Sequence, residues 1–145
     1  MRMISDTTND LKAVFRILDA NLNRLREALR VIEEYFRFMI AGETVAVQLK
    51  HMRHSLEEIE AGLGAARLLA ARDTQTDPFA NVNRPEELNR TTARQIVVAN
   101  LKRGQEAARV IEEYSKITDA APVSERAKTI RFTLYALEKE RGESL

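Results

Sequence analysis

Residues 20–35 read ANLNRLREALRVIEEY and residues 99–114 read ANLKRGQEAARVIEEY, identical at twelve of the sixteen aligned positions. An internal duplication of this kind constrains a fold more than any local propensity, because both copies must take up the same structure and find equivalent places in the core. The match continues: LKHMRHSLEEIE from Leu49 aligns with AKTIRFTLYALE from Ala127 after a one-residue change of offset. Each unit is therefore a pair of segments.

The segments read as helices. Leu18, Leu22, Leu25, Leu29, Ile32 and Phe36 are spaced 4, 3, 4, 3, 4, which makes one stripe on a helix and no single face of a strand. Met52, Leu56 and Ile59 repeat the pattern in the companion segment, as do Ile130, Leu134 and Leu137. The expected fold is all-α: two duplicated helical hairpins, at about 15–62 and 91–140, packed as an antiparallel four-helix bundle with a pseudo-two-fold axis and one or two extra short helices. A length of 145 residues fits a single domain over 1–145.

Local signals set the expected boundaries. Residues 1–9 are polar and expected to fray, with the first helix running from about Asp10 to Phe38 or Ile40 and Asp19 a candidate N-cap. Thr44 is a candidate cap for a second helix to about Ala61, and Gly62 with Gly64 interrupts the pattern before a short helix from Ala65 to Arg72. A connection at about 73–90 has no convincing period, although Pro85 before Glu86 and Glu87 can open a helical turn. The second unit is expected from Thr91 to Ile117 and from Pro122 to about Glu140, with residues 142–145 loose.

Charge and composition exclude several classes. A formal net charge of +1 gives no electrostatic case for a nucleic acid or an acidic membrane surface. No run is long enough to span a bilayer, and no signal peptide is apparent. With no cysteine there is no disulfide framework, thiolate metal site or cysteine nucleophile, and a cytoplasmic location is the simplest reading.

The two copies kept their polar positions while the packing seam changed. Leu25, Leu29 and Phe36 become Gly104, Ala108 and Ser115, but Asn21, Arg24, Glu27, Arg30, Glu33 and Glu34 reappear as Asn100, Arg103, Glu106, Arg109, Glu112 and Glu113. Arg24 and Arg103 follow the asparagines by one turn, flanked in the first copy by Ala20, Ala28 and Val31. A guanidinium against apolar neighbours calls for an anionic partner, either a carboxylate such as Glu27 or a ligand phosphate. Glu27 and Glu106 lie across from the leucine stripe and are either solvated or suited to a hard cation such as Mg²⁺.

Other pairs admit bland readings. Arg30 with Glu34, Glu33 with Arg37, Arg109 with Glu113 and Glu112 with Lys116 have the i, i+4 spacing of helix-surface ion pairs. Lys50 with Arg53, and Lys128 with Arg131, either clamp phosphate or snorkel at the bundle edge. Arg72, Asp73 and Asp77 either bind a phosphate and its metal or cap a helix end. His51 and His54 lack a third zinc ligand. There is no GxxxxGK[ST] or GxGxxG, so a nucleotide site would be built from helix-borne side chains.

The runs LDANLNRLREALRVIEEYFRF, LKHMRH, LLAARDT, VVANLKRGQEAARVIEEYSK and IRFTLYALE together resemble the all-helical alternative hydroxymethylpyrimidine phosphate kinase family of thiamin biosynthesis, over about Phe15 to Glu138. The resemblance implies ATP- and Mg²⁺-dependent phosphorylation of 4-amino-5-hydroxymethyl-2-methylpyrimidine phosphate to the pyrophosphate. Family members are often fused ahead of thiamin phosphate synthase, so that enzyme is an implied partner beside the small-molecule substrates. The family's motif positions fall on Asn21, Arg24, Glu27, Arg30, Arg53, Arg72, Asp73, Asn100, Arg103, Glu106, Arg109, Glu112 and Glu113. One departure is that Pro78-Phe79-Ala80 follows Asp77 where the family has a glycine turn.

On this reading Arg24, Arg103 and Arg72 are the catalytic candidates, and Asn21, Asn100, Arg30, Arg53, Arg109 and Lys50 the binding candidates for substrate and ATP. Glu27, Glu106 and Asp73 are the Mg²⁺ candidates, and the small residues Gly104 and Ala108 are expected either to leave room for a flat ring or to tighten helix packing. The alternatives are an arginine-lined, metal-free mutase acting on a small dianion and a helical interaction or dimerisation module. A homo-oligomer and an origin in a longer fusion both stay open.

Overall fold

The computed structural model describes residues 4–82 and 89–142. The described residues form five helices and no strand: α1 (Ile4–Phe38), α2 (Glu43–Leu63), α3 (Ala65–Ala71), α4 (Ala93–Ser115) and α5 (Val123–Arg141). The chain is all-α, as its periodicity implied.

The stripe spaced by threes and fours makes the core. Leu18, Leu22, Leu25, Leu29, Ile32 and Phe36 of α1 are fully buried, in one cluster with Leu56 and Ile59 of α2 and Ile130 and Leu134 of α5. α1 packs on α2 and α4, α4 on α5, and α5 back on α2, so the four long helices close a ring while α3 lies against α1 and α2. Burial of such side chains stabilises by about 1.5–3 kcal/mol each.

Helix α1 begins earlier than the polar composition of residues 1–9 suggests, and it runs through Asp19 without a break. Asp19 is not a cap. It is buried, and its carboxylate accepts two bonds from Arg72, at 2.8 and 2.9 Å. Thr44 does not cap α2 either: the N-cap is Gly42, with no side-chain bond.

Helix α2 reaches Leu63 and stops where Gly64 takes φ +95°, a backbone conformation that side chains rarely adopt. Arg72 falls just outside α3 with an extended backbone. Arg67 anchors α3, donating to both Asp119 oxygens at 3.1 and 2.8 Å and lying 4.4 Å from the Phe15 ring centroid.

In the connection, Asp73 and Asp77 each accept backbone N–H groups, the former from Gln75 and Thr76 and the latter from Phe79. The turn proposed at Pro85, Glu86 and Glu87 lies outside the described residues, as do residues 143–145. Helix α4 opens with Thr92 accepting from the Gln95 N–H while Gln95 Oε1 accepts from Thr91, a reciprocal arrangement that satisfies otherwise unpaired amides. It closes at Ser115, two residues before the expected end, and α5 begins one residue after Pro122.

The α4–α5 contact uses a small residue. A Cβ on Gly104 would stand 3.0 Å from Leu134 Cδ1, 3.7 Å from Leu25 Cδ1 and 3.8 Å from Ala28 Cβ. Ala108 is likewise fully buried. These small side chains bring helices together; they do not open room for a flat ring. No helix among the described residues is long and apolar enough to cross a membrane.

Candidate functional site

The close approach of α1 and α4 sets matching rows of polar side chains beside one another. Asn21, Arg24 and Glu27 of α1 and Asn100, Arg103 and Glu106 of α4 line one cleft of about 480 Å³, with Ala28, Ala107 and Val110 as its apolar wall. These six polar residues are those expected to hold ligand, and one helix face carries each set because the spacing is one turn per step.

The asparagines are fixed by their own helices. The amide of Asn21 donates to Ile17 O at 2.9 Å and that of Asn100 to Ile96 O at 2.8 Å. In each case this orients the side-chain oxygen as an acceptor. Arg24 Nη1 reaches Asn21 Oδ1 only at 3.4 Å, a weak bond.

Both arginines and both glutamates are exposed along the cleft. Arg24 and Arg103 are thus not desolvated, so burial does not by itself demand an anionic partner at either position. No Arg24–Glu27 bridge forms among the described residues.

Three other candidates gather elsewhere. Arg30, Lys50 and Arg53 line a separate cleft of about 640 Å³ between the end of α1 and the start of α2, together with Glu33, Arg37, Ala41, Glu43, Ala46 and Val47. Arg53 donates to Glu33 from Nε at 2.5 Å and from Nη2 at 3.1 Å. That bond holds the guanidinium in its charged form more firmly than usual.

Arg72 and Asp73 line a third cleft of about 360 Å³, with Asn9, Lys12, Ala13 and Arg16. Arg72 is paired with Asp19. The Asp73 carboxylate is taken up by the Thr76 hydroxyl and by two backbone amides, and these bonds hold it below the usual carboxylate range. Its carbonyl accepts from Arg16 at 2.6 Å. Asp73 is a turn cap and does not meet Glu27 or Glu106.

Arg109 lines none of these clefts and pairs with Glu112 at 3.5 Å and Glu113 at 3.3 Å. The expected Arg30–Glu34 pair is present at 2.9 Å. Glu33 and Glu112, however, do not pair with Arg37 and Lys116. They cross between helices, Glu33 to Arg53 at 2.5 Å and Glu112 to Arg131 at 2.8 Å, while Lys116 turns to Glu113 at 3.1 Å. The joint retention of Glu33 with Arg53 and Glu112 with Arg131 was the available signal for this, and i, i+4 reasoning passed over it.

Comparison with known proteins agrees with this sequence pattern. Residues 16–140 match the ThiD2 family. A thiamine-phosphate synthase of Parasynechococcus marenigrum is 44% identical over 125 residues, covering 86% of this chain and 34% of that protein. Thiamine-phosphate synthases of Thermosynechococcus vestitus and Synechocystis sp. are 44% and 43% identical, over 86% and 87% of this chain and 34% and 35% of theirs. The chain thus spans about a third of the length of these relatives. No solved structure matches it.

Proposed function

The chain belongs to the ThiD2 family, and from that membership we propose a phosphotransferase of thiamin biosynthesis that uses ATP to convert 4-amino-5-hydroxymethyl-2-methylpyrimidine phosphate into its pyrophosphate. The observation that carries this reading is the α1–α4 cleft, where twin Asn, Arg and Glu sets meet. The thiamine-phosphate synthase relatives support the pathway.

The chemistry asks for little beyond charge and alignment. An oxygen of the acceptor phosphate forms a bond to the γ-phosphorus of ATP as the bridge to the β-phosphate breaks, and ADP leaves. The acceptor is already anionic, since the second ionisation of a phosphomonoester lies near pH 6. No general base is required. Arg24 and Arg103 neutralise the crowded phosphates and hold donor and acceptor in line. The fixed asparagine oxygens suit the pyrimidine amino group, which donates.

Glu27 and Glu106 are the carboxylates of the cleft. Among the described residues no group of three or more His, Cys, Asp or Glu side chains could hold a metal. Two carboxylates nevertheless fit Mg²⁺ carried on substrate phosphates, because that ion takes one or two protein carboxylates and keeps water. Bound there, it would neutralise charge on the transferring group.

The test is to incubate the protein with ATP, Mg²⁺ and the pyrimidine phosphate and to measure ADP and the pyrophosphate product. Arg24→Ala and Arg103→Ala should each lower turnover by about 10²–10³, the usual cost of removing a preorganised stabiliser of transition-state charge. Lys139→Ala, on the outer end of α5, should not. Absence of ADP formation by a folded protein overturns the proposal.

A further inference from the structure

We propose that the cleft at the elbow between α1 and α2 is a second ligand site, for a small phosphomonoester. It shares no residue with the α1–α4 cleft, and phosphoryl transfer as derived above does not use it.

Its cations are arranged to donate. Arg53 spends Nε and Nη2 on Glu33 and is held with Nη1 left over. Arg30 spends Nε on Glu34 at 2.9 Å and keeps its two Nη groups. Arg37 lies 4.8 Å from the Phe38 ring centroid, and neither Arg37 nor Lys50 has a carboxylate partner among the described residues. Forked guanidinium donors beside a lysine match a phosphate dianion.

At the corresponding positions of the other half the cations are paired differently. Arg109 and Lys116, at the places of Arg30 and Arg37, are neutralised by Glu112 and Glu113. Arg131, at the place of Arg53, pairs with Glu112 and lies 4.9 Å from the Phe132 ring centroid, which Lys128 also faces at 6.0 Å. Glu125 replaces Val47 in the aligned sequence. The first half sets Arg37 and Lys50 beside an apolar wall from Ala46 and Val47, with Glu33 and Glu43 as its carboxylates, whereas the cleft of Lys128, Phe132 and Ala136 in the other half holds a single basic residue beside Glu125. At about 640 Å³ the cleft is also larger than a phosphate ion fills, so the anion is expected to carry a compact organic body.

The experiment is an amide-resolved NMR titration of the full chain with phenyl phosphate and, in parallel, with inorganic phosphate. Phenyl phosphate should give saturable shifts at Ala46, Val47, Lys50 and Arg53, with a Kd at least tenfold tighter than that of inorganic phosphate. The Arg37→Gln/Lys50→Gln double variant should weaken it tenfold or more. Val47→Glu, which copies the other half at an exposed helix position, should do the same with an unchanged Tm. Arg24→Gln should leave the Kd unaltered, which separates this site from the reaction cleft. Shifts confined to the α1–α4 cleft, equal affinity for the two anions, or a Kd indifferent to both elbow variants would each overturn the assignment.

Discussion

Glu33 and Glu112 stand at matching positions of the two stretches and are both buried, but their neighbours differ. Among the described residues Glu33 depends on Arg53 alone for cationic contact, whereas Glu112 is reached by Arg131 and by Arg109. Removing one partner of a buried ion pair costs about 3–5 kcal/mol, because the other charge is left uncompensated. Arg53→Met should therefore destabilise by about that amount in urea unfolding. Arg131→Met should cost distinctly less, since Arg109 remains beside Glu112; equal losses would show that Arg109 contributes nothing. The identities of these residues were legible in the sequence, because the duplication kept them. Their partners were not, because i, i+4 spacing and cross-helix contact compete for the same carboxylate and only packing decides between them.

At the scale of elements, the apolar stripes of α1, α2 and α5 were readable from spacing, since burial of one helix face follows from period alone. The helix ends were less so. Asp19 has the composition of a cap but lies inside α1 because its carboxylate is the seat of Arg72, a contact 53 residues away in sequence. The short α3 could not persist alone, given the cost of nucleating a helix. Besides its own buried Leu68 and Ala71, it is held by two arginines, Arg67 on Asp119 and Arg72 on Asp19. The Arg67 hydrogen bond holds the Asp119 carboxyl below the usual range. A depressed carboxylate contributes stability that is complete above its unfolded value, about 3.9, and is lost as pH falls through the folded value. Asp119→Asn should thus lower Tm modestly at neutral pH, and the gap from the parent should narrow in acid, as pH falls below the ordinary carboxylate range. Thermal melts at neutral and acidic pH check this, and a gap that widens in acid would contradict the role given to Asp119.

At the scale of the whole molecule, the sequence foretold that twin polar rows exist but not which of their members would share a surface. The resemblance groups Arg30, Arg53 and Arg72 with Arg24, yet their places on α1, on α2 and just after α3 carry them to two other clefts. The rows of Arg24 and Arg103 meet where α1 and α4 pack along their length. That meeting has a functional counterpart. In the proposed transfer the reacting phosphorus is flanked on either side by an oxygen of another phosphate, so the charge to be neutralised is itself nearly two-sided. Tripolyphosphate presents the same linear pattern with identical ends. If each half of the cleft serves one flank, Arg24→Ala and Arg103→Ala should weaken tripolyphosphate binding by similar factors, read by calorimetry. The same two variants should affect the pyrimidine phosphate unequally, because its ring can lie against only one asparagine. Loss of tripolyphosphate binding in one variant alone would instead mean that a single half carries the phosphates and that the matched residues of the other half serve only to hold the helices.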